Sequence, residues 1–591
     1  MKNISSHFLN IILTSTPKRR TLFSFLWAIF CIAIFAYFGV KGFFNYESND
    51  DVILALITSG FLGEPSSYTI YNNIIIGYLL SRLSICFPML NWTVTFYLSH
   101  MLLAYIILGI LLIYKNGEIL GGLLSAIFFT CTCNTLLHKM NYSKSAALIF
   151  MVGGVLFVWL IDIICEKKQV RSKVIYIIAF FFGIYLIILG ALIRKETLIA
   201  LLPFGAVLIF KQLMRRKSLM VILPYFITFV VICLLWIVDY VVYHCNNEWT
   251  YFENYNEVRT DLMDFYMPEY YSNIDEYSLI GIDECDYRMF KTWSFADDDV
   301  FSIDKLNEIK TVAGNRQDNL KDIVIKINKG IVDLFSLYFM IPVAMVLFVI
   351  LLIFSKPKER YQLILLSGVF LLELCSLIYV DRCKERAVIV PIIGFLTSIF
   401  AIGTPNREDI IYKSVDGPVK DNKSKFSSLV LICCMVLMFI VINLVEGLRM
   451  VRKNNTYSLE RQGDFRTFIS EISSDKEHLY IWDCGYSLDE IMKSYAPFEG
   501  YDIGYFGNSV WTGAWVYPAP IMYSHNSKFG DTYNIFKLLV NNEKAYLVVD
   551  DENENLLEQY TQYINKHYNA EMTCSLVDTR LGYSIYSYYG Q

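Results

Sequence analysis

Apolar residues run along the chain in long blocks broken by short polar stretches. Blocks at 21–40, 93–114, 120–137, 146–165, 174–193, 198–210, 219–243, 331–354, 363–379, 387–402 and 428–448 each approach the length a helix needs to cross about 30 Å of hydrocarbon at about 1.5 Å per residue. They predict an α-helical polytopic membrane protein of about eleven spans. The first block reads as a spanning anchor, because no small-residue cleavage site follows it. Two apolar stretches are too short or too polar to span. One, 72–87, contains Arg82 and ends at Pro88; the other, 51–62, puts Ile53, Leu56, Ile57 and Phe61 roughly on one face. Both are expected as helices lying along the interface in the first outer loop.

Basic residues orient the spans. Lys18-Arg19-Arg20 precede the first block, and further clusters fall at 166–173, 211–217, 356–360 and 407–425. All lie on one side, the cytoplasmic one, provided that 72–87 does not span. The outer side then holds the first loop, 42–92, and a long polar loop, 244–330, in which acids outnumber bases about two to one. Residues 1–448 make the membrane domain. Residues 449–591 are polar enough to form a separate outer domain, with strand-like runs at 478–482, 545–549 and 583–587 alternating with helix-like ones, the pattern of a small α/β unit. It contains no glycine-rich phosphate loop, so an accessory role is expected.

Composition narrows the class. Of 591 residues 55% are hydrophobic, and the net charge is only −5, so no basic stripe is available for nucleic acid. Most of the 14 cysteines lie in or beside apolar blocks, where thiols behave as small hydrophobes. No CxxC pair supplies a metal framework, and no metal or other cofactor is assigned. Asp297-Asp298-Asp299 is the run that suggests a divalent cation; lacking further ligands at turn or helical spacing, it reads as a solvated stretch.

The candidate chemistry gathers just after the first span, in Tyr46-Glu47-Ser48-Asn49-Asp50-Asp51-Val52. Acids beside a bilayer are costly and are functional suspects by default. Ser48-Asn49-Asp50 is also a good helix N-cap, and one acid serves there; the second is free for acid–base work. Asp50 and Asp51 are therefore the candidate catalytic pair, with Glu47, Asn49, Tyr71, Asn72 and Arg82 as candidate substrate contacts. Two outer connections break the charge rule: Arg194-Lys195-Glu196 and Asp381-Arg382-Cys383-Lys384-Glu385-Arg386. Arg194, Arg382 and Arg386 suit an anionic ligand, or they pair with Asp50, Asp51, Glu196 or Glu385 and tie helices together. Lys195 and Lys384 also have water and lipid headgroups within reach. His138 is a substrate contact, a base, or a cap at a helix end.

This layout resembles the GT-C superfamily of polyprenyl-phosphate-sugar-dependent glycosyltransferases, in which an acidic pair follows the first span and precedes two interfacial helices. The matching residues are Asn49-Asp50-Asp51, then Ser59-Gly60 through Tyr71-Asn72 to Leu83. The Asn-Asp-Asp-Val motif is also similar to that of bacterial polytopic proteins associated with surface-polymer synthesis. The resemblance implies a polyprenyl-phosphate sugar donor, a glycan or lipid acceptor on the outer face of the cell membrane, and inverting transfer. Asp50 or Asp51 would be the base, and Arg194, Arg382 and Arg386 would hold the phosphate. A polymerase or ligase of lipid-linked glycans would use the same arginines without needing the acids. A flippase would place charges mid-span and break related helices; here the charges cluster at span ends, and Pro203, Pro224, Pro342 and Pro391 follow no repeat.

Overall fold

The computed structural model describes residues 16–165, 173–216, 221–312, 320–403, 430–442, 444–445, 462–522, 529–530, 533–550, 554–568 and 571–590. The basic loops at 166–172 and 407–425, Lys217, and residues 428–429, 443 and 446–461 lie outside them. In chain order the first part comprises α1 (Pro17–Val40), β1 (Asn45–Tyr46), α2 (Asn49–Ser59), α3 (Ile74–Cys86), α4 (Trp92–Asn116), α5 (Glu118–Cys133), β2 (Lys139–Met140), α6 (Tyr142–Cys165), α7 (Lys173–Ile193), α8 (Lys195–Arg216) and α9 (Leu223–His244). There follow α10 (Asn247–Thr260), α11 (Ile274–Leu279), α12 (Glu284–Lys291), α13 (Ile303–Val312), α14 (Leu320–Leu337), α15 (Met340–Phe354), α16 (Pro357–Tyr379), α17 (Glu385–Gly403) and a short apolar helix, α18 (Val430–Ile442).

Among the described residues nine helices are long and apolar enough to cross a bilayer, or ten if the bent pair α14 and α15 counts as one span. Close approach holds the bundle where glycines face a neighbour. A Cβ on Gly153 would stand 2.7 Å from that of Leu186, and one on Gly190 2.7 Å from that of Phe150, so only the bare backbone lets α6 and α7 touch.

Two sequence expectations change. Residues 331–354 are not one straight span, because the chain breaks between α14 and α15 and turns through 93°. In α14 charged residues interleave with apolar ones; Leu320, Val324, Ile325 and Val332 stay exposed while Lys326 pairs with Asp381 at 2.5 Å. The helix α2 exists, but it is not half-exposed. Every residue from Asp50 to Ser59 is buried. One side meets the bundle, where Thr58 and Thr93 share a 2.8 Å hydroxyl contact, and the other lies under an aromatic layer containing Phe61, Phe506 and Trp511. The helix α3 does show two faces, with Ile75, Tyr78 and Leu79 exposed and Ile76 and Leu80 buried. Asp239 of α9 accepts a hydrogen bond from the Ile74 amide at 2.6 Å, satisfying a donor at the start of α3.

The aromatic layer belongs to a body built from the carboxy-terminal residues: α19 (Gln462–Ser474), β3 (Leu479–Trp482), α20 (Cys484–Ser494), β4 (Ser509–Trp511), α21 (Ile535–Asn541), β5 (Ala545–Asp550), α22 (Glu554–His567), β6 (Met572–Arg580) and β7 (Tyr583–Gly590). The sheet order is β4-β3-β5-β7-β6, with β3 parallel to both β4 and β5, and β7 antiparallel to β5 and β6. One face packs on α10 to α13, so that Tyr255, Phe290 and Phe295 share a core with Ile481, Val510 and Tyr563. The other face packs on α19 and, through Trp482 and Trp511, on Ile53, Leu56 and Ile57 of α2. The long polar loop, 244–330, and the chain's end therefore build one body that stands outside the helix bundle, the outer body, seated on the first loop.

Asp297 pins that body and is not solvated. It has no exposed surface. Its Oδ1 accepts from the Asp299 and Val300 amides and from Asn534, and its Oδ2 from the Tyr563 and Tyr568 hydroxyls. Asp297→Ala should leave those donors unanswered and lower stability by about 3 kcal/mol or more, whereas Asp299→Ala, which removes an exposed carboxylate facing Lys537 at 3.6 Å, should cost about 1 kcal/mol or less. Thermal unfolding of the two variants in detergent separates these outcomes, and equal losses would contradict the assignment.

Candidate active site

The acidic stretch is positioned by the smaller of the two sheets among the described residues. Strands β1 and β2 pair in parallel, with Asn45 opposite Lys139 and Tyr46 opposite Met140, and the Glu47 amide donates to the Met140 carbonyl at 2.9 Å. The first loop is thereby held against the start of α6. The chain then enters α2 at Ser48, whose hydroxyl makes no cap bond to its own helix. It donates instead to Asp51 Oδ2 at 2.8 Å.

Asp51 is spoken for. Its Oδ2 also accepts from Asn141 Nδ2 at 2.9 Å and its Oδ1 from the Tyr142 amide at 2.9 Å. A carboxylate from α2 thus caps the amino terminus of α6, where it also meets the favourable end of the helix dipole. Burial pushes the Asp51 carboxyl up to about 7 against the pull of the Tyr142 amide, and the neighbouring Asp50 and Glu47 charges add to the rise.

Asp50, one residue earlier, faces elsewhere. It pairs with Arg386 at the first turn of α17, and the same guanidinium donates to Ser48 Oγ at 3.1 Å. Behind this pair lies a second, deeper one. Lys144, in the first turn of α6 and with no exposed side-chain surface, reaches Glu47 and Glu385 at 3.0 Å each, and donates to the Thr135 carbonyl at 3.1 Å. Lys139 adds an outer contact to Glu385 at 2.7 Å. Burial raises the Glu47 carboxyl and Lys144 opposes the rise.

Of these groups Glu47, Ser48, Asp50 and Arg386 border a cavity of about 400 Å³. The first loop and the span ends supply Glu47, Asn49, Asp50, Tyr71, Lys384 and Arg386. The outer body supplies Arg259, Asp264, Trp293, Leu488 and Trp515. Asp264 is approached by Lys384 at 3.5 Å and Arg382 at 3.9 Å. Tyr71 lies 4.5 Å from Trp515, centre to centre, and stacks on Tyr142 at 5.7 Å. An apolar ring floor beside paired carboxylates and cations is a surface on which a sugar and an anion can both be held.

The remaining sequence candidates are elsewhere or act indirectly. Arg194 pairs with Glu196 at 2.8 Å and sits over the Tyr71 and Tyr142 rings at 4.7 and 5.1 Å, behind the cavity rather than on its lining. Lys195 and Glu196 are exposed. Arg382 covers the Phe265 ring at 4.7 Å and is not part of the lining. Asn72 is buried and donates to the Tyr97 hydroxyl at 2.7 Å. Arg82 is exposed over Tyr78, and His138 is held by the Phe43 carbonyl and Asn45. Lys144, Arg259, Asp264, Trp293 and Trp515 were not among the sequence candidates. Lys144 carried a faint signal, a lone charge in the first turn of an apolar block; the others carried none.

No protein-family model matches the chain, and no curated protein does. Among solved structures it is similar to the crystal structure of ArnT from Cupriavidus metallidurans bound to undecaprenyl phosphate, at 9% identity and a TM-score of 0.45, over 95% of this chain and 98% of that one. It is likewise similar to the apo state of the same protein, at 10% identity and a TM-score of 0.46, over 95% and 97%. Similarity at that level leaves the site's chemistry to the chain's own residues.

Removing Lys144 as Lys144→Met leaves Glu47 and Glu385 without their buried ammonium and should cost about 3–5 kcal/mol, against about 1 kcal/mol or less for Lys139→Met at the exposed contact. Unfolding temperatures of the two variants test the ranking, and a reversed order would refute it. Asp51 predicts a pH signature. Between about pH 4 and about pH 7 the native state holds a proton that the unfolded chain has released, so this group's stabilisation is full at the low end and lost as pH rises to about 7. The unfolding temperature of the wild type minus that of Asp51→Asn should therefore grow as pH falls from about 8 to about 5. A difference that shrinks instead would mean that Asp51 is ionised throughout.

Proposed function

We propose that this chain is a membrane glycosyltransferase of the GT-C type, moving a sugar from a polyprenyl-phosphate donor to a hydroxyl of a glycan or lipid acceptor on the outer face. The observation that carries the reading is the division of labour in Asn49-Asp50-Asp51. Asp50 borders the cavity beside Arg386 and Lys384, while Asp51 is turned away to cap α6. Asp50 is the base. It takes the proton of the acceptor hydroxyl, the freed oxygen attacks the anomeric carbon, and the bond from that carbon to the lipid phosphate breaks on the opposite side, inverting the centre. Arg386 and Lys384 receive the charge that develops on the leaving phosphate. Arg386 holds the Asp50 carboxylate in place; a bound phosphate competes for the same guanidinium and frees Asp50 to act. Most charge gathers at span ends, with Asp239 of α9 and Glu373 of α16 the exceptions, and that distribution favours this chemistry over transport. The Asp297-Asp298-Asp299 run does not fit a catalytic cation, since both Asp297 oxygens are already taken by protein donors.

Transfer by the purified protein from a panel of polyprenyl-phosphate sugars is the test. Asp50→Asn should lower turnover by about 100-fold or more with folding and lipid-phosphate binding kept, whereas Asp51→Asn should act mainly through stability. Equal turnover in the wild type and Asp50→Asn would remove Asp50 from the chemistry.

A further inference from the structure

Three cations line the cavity, and carboxylates answer two of them: Asp50 faces Arg386, and Asp264 faces Lys384 at 3.5 Å. The third, Arg259, has none among the described residues. It is 1% exposed. Its Nη2 donates to Asn256 Oδ1 at 2.5 Å and to Thr260 Oγ1 at 2.8 Å, both on its own helix α10, while Nε and Nη1 have no hydrogen-bond partner. The guanidinium lies 5.2 Å from the centre of the Trp293 ring, which offers a face to a cation but no acceptor oxygen. Burying a guanidinium without a counter-charge is among the costliest arrangements a fold can keep, and it becomes favourable once an anion arrives.

The position of Arg259 says which anion. The helix α10 is part of the outer body, where Tyr255, one turn before Arg259, packs on Phe295 and Tyr517. A phosphate carried on a lipid is tethered to the bilayer and meets the cations at the span end, Lys384 and Arg386. Arg259 stands on the part of the lining that the outer body contributes. The carboxylates that share the cavity do not repel a guest there, since Asp50, Asp264 and Glu47 each face a cation of their own.

We propose that Arg259 binds an oxyanion, carboxylate or phosphate, of the second substrate, so that the acceptor belongs to the acidic or phosphate-bearing glycans. Calling that substrate the acceptor rests on the glycosyltransferase reading; the anion site does not.

The test is calorimetric titration of the full-length protein in detergent with inorganic phosphate, glucuronate, glucose and polyprenyl phosphate. Phosphate and glucuronate should bind the wild type and compete with each other, and glucose, which lacks the carboxylate, should bind more weakly than glucuronate by about tenfold or more, with equal affinity for the two sugars overturning the site. Arg259→Gln should weaken both anions by about tenfold or more while leaving polyprenyl phosphate unchanged. If Arg259→Gln does not fold, Arg259→Lys decides: weaker anion binding supports the site, because an ammonium lacks the planar donor fork, and unchanged binding overturns it. The proposal also falls if the wild type binds neither anion, or if Arg259→Gln loses polyprenyl phosphate, which would place Arg259 on the donor. Failure of the wild type to transfer any sugar would sink the glycosyltransferase reading and leave the anion titrations standing.

Discussion

The ammonium of Lys144, sealed at the first turn of α6, is the charge around which the site is built. It reaches Glu47 and Glu385 at equal distance, and neither carboxylate comes from its own helix. Glu47 precedes α2, and Glu385 opens α17. A buried cation of this kind holds both segments in place, because losing either acid strips the ammonium of one of its two partners where water cannot take its place. Three segments far apart in sequence are thus clasped at one point. Arg386 follows Glu385 by one residue, so placing Glu385 on Lys144 also delivers Arg386 to Asp50.

The same clasp explains how the outer body finds its seat. Once Glu47 and Asp51 are fixed, α2 projects from the bundle with Val52, Ile53, Leu56 and Ile57 needing cover. The sheet of the outer body provides it. Phe506 and Phe61 stack at 5.8 Å, and the amides of Gly504 and Phe506 donate to the carbonyls of Gly60 and Phe61 at 2.7 and 2.9 Å. Gly60, in the left-handed region at φ 79° and with Pro65 2.5 Å from where a Cβ would sit, is the position that lets the chain turn there. The cavity is what remains between the clasp and its cover, and residues from both sides border it.

What could be read from the sequence follows from the range of the interactions concerned. Spans are local: a block of apolar residues declares itself whatever surrounds it, and among the described residues each of the nine helices of spanning length coincides with a block named from the pattern, to within a few residues at its ends. The acidic stretch was local too, since several polar residues together after a span are conspicuous. The burial of α2 was hidden, because its periodicity suits a half-exposed helix and its outer cover lies more than 400 positions later, at Phe465 to Ile585. The break before α15 was only half hidden: the apolar residues continue across it, but Pro342, in the first turn of α15, would clash with the Tyr338 carbonyl if the helix ran on unbroken. Arg259 was a single basic residue in an acidic, polar helix, ordinary in sequence and exceptional only once its unpartnered nitrogens were seen.

The separate fates of Asp50 and Asp51 follow from helix geometry alone. Neighbouring residues on an α-helix point about 100° apart, so two adjacent carboxylates in a first turn cannot share one environment. With α6 on one side and the cavity on another, one acid must cap and the other must face the open space. Rotating α2 to exchange them would pull Ser48 and Asn141 off Asp51 and break the pairing of Asp50 with Arg386, while Glu47 on Lys144 resists the turn. An acid that is locked supports the position of one that is available. The capping aspartate therefore fixes where its neighbour's oxygens lie, and its protonation acts on that neighbour through the seating of α6.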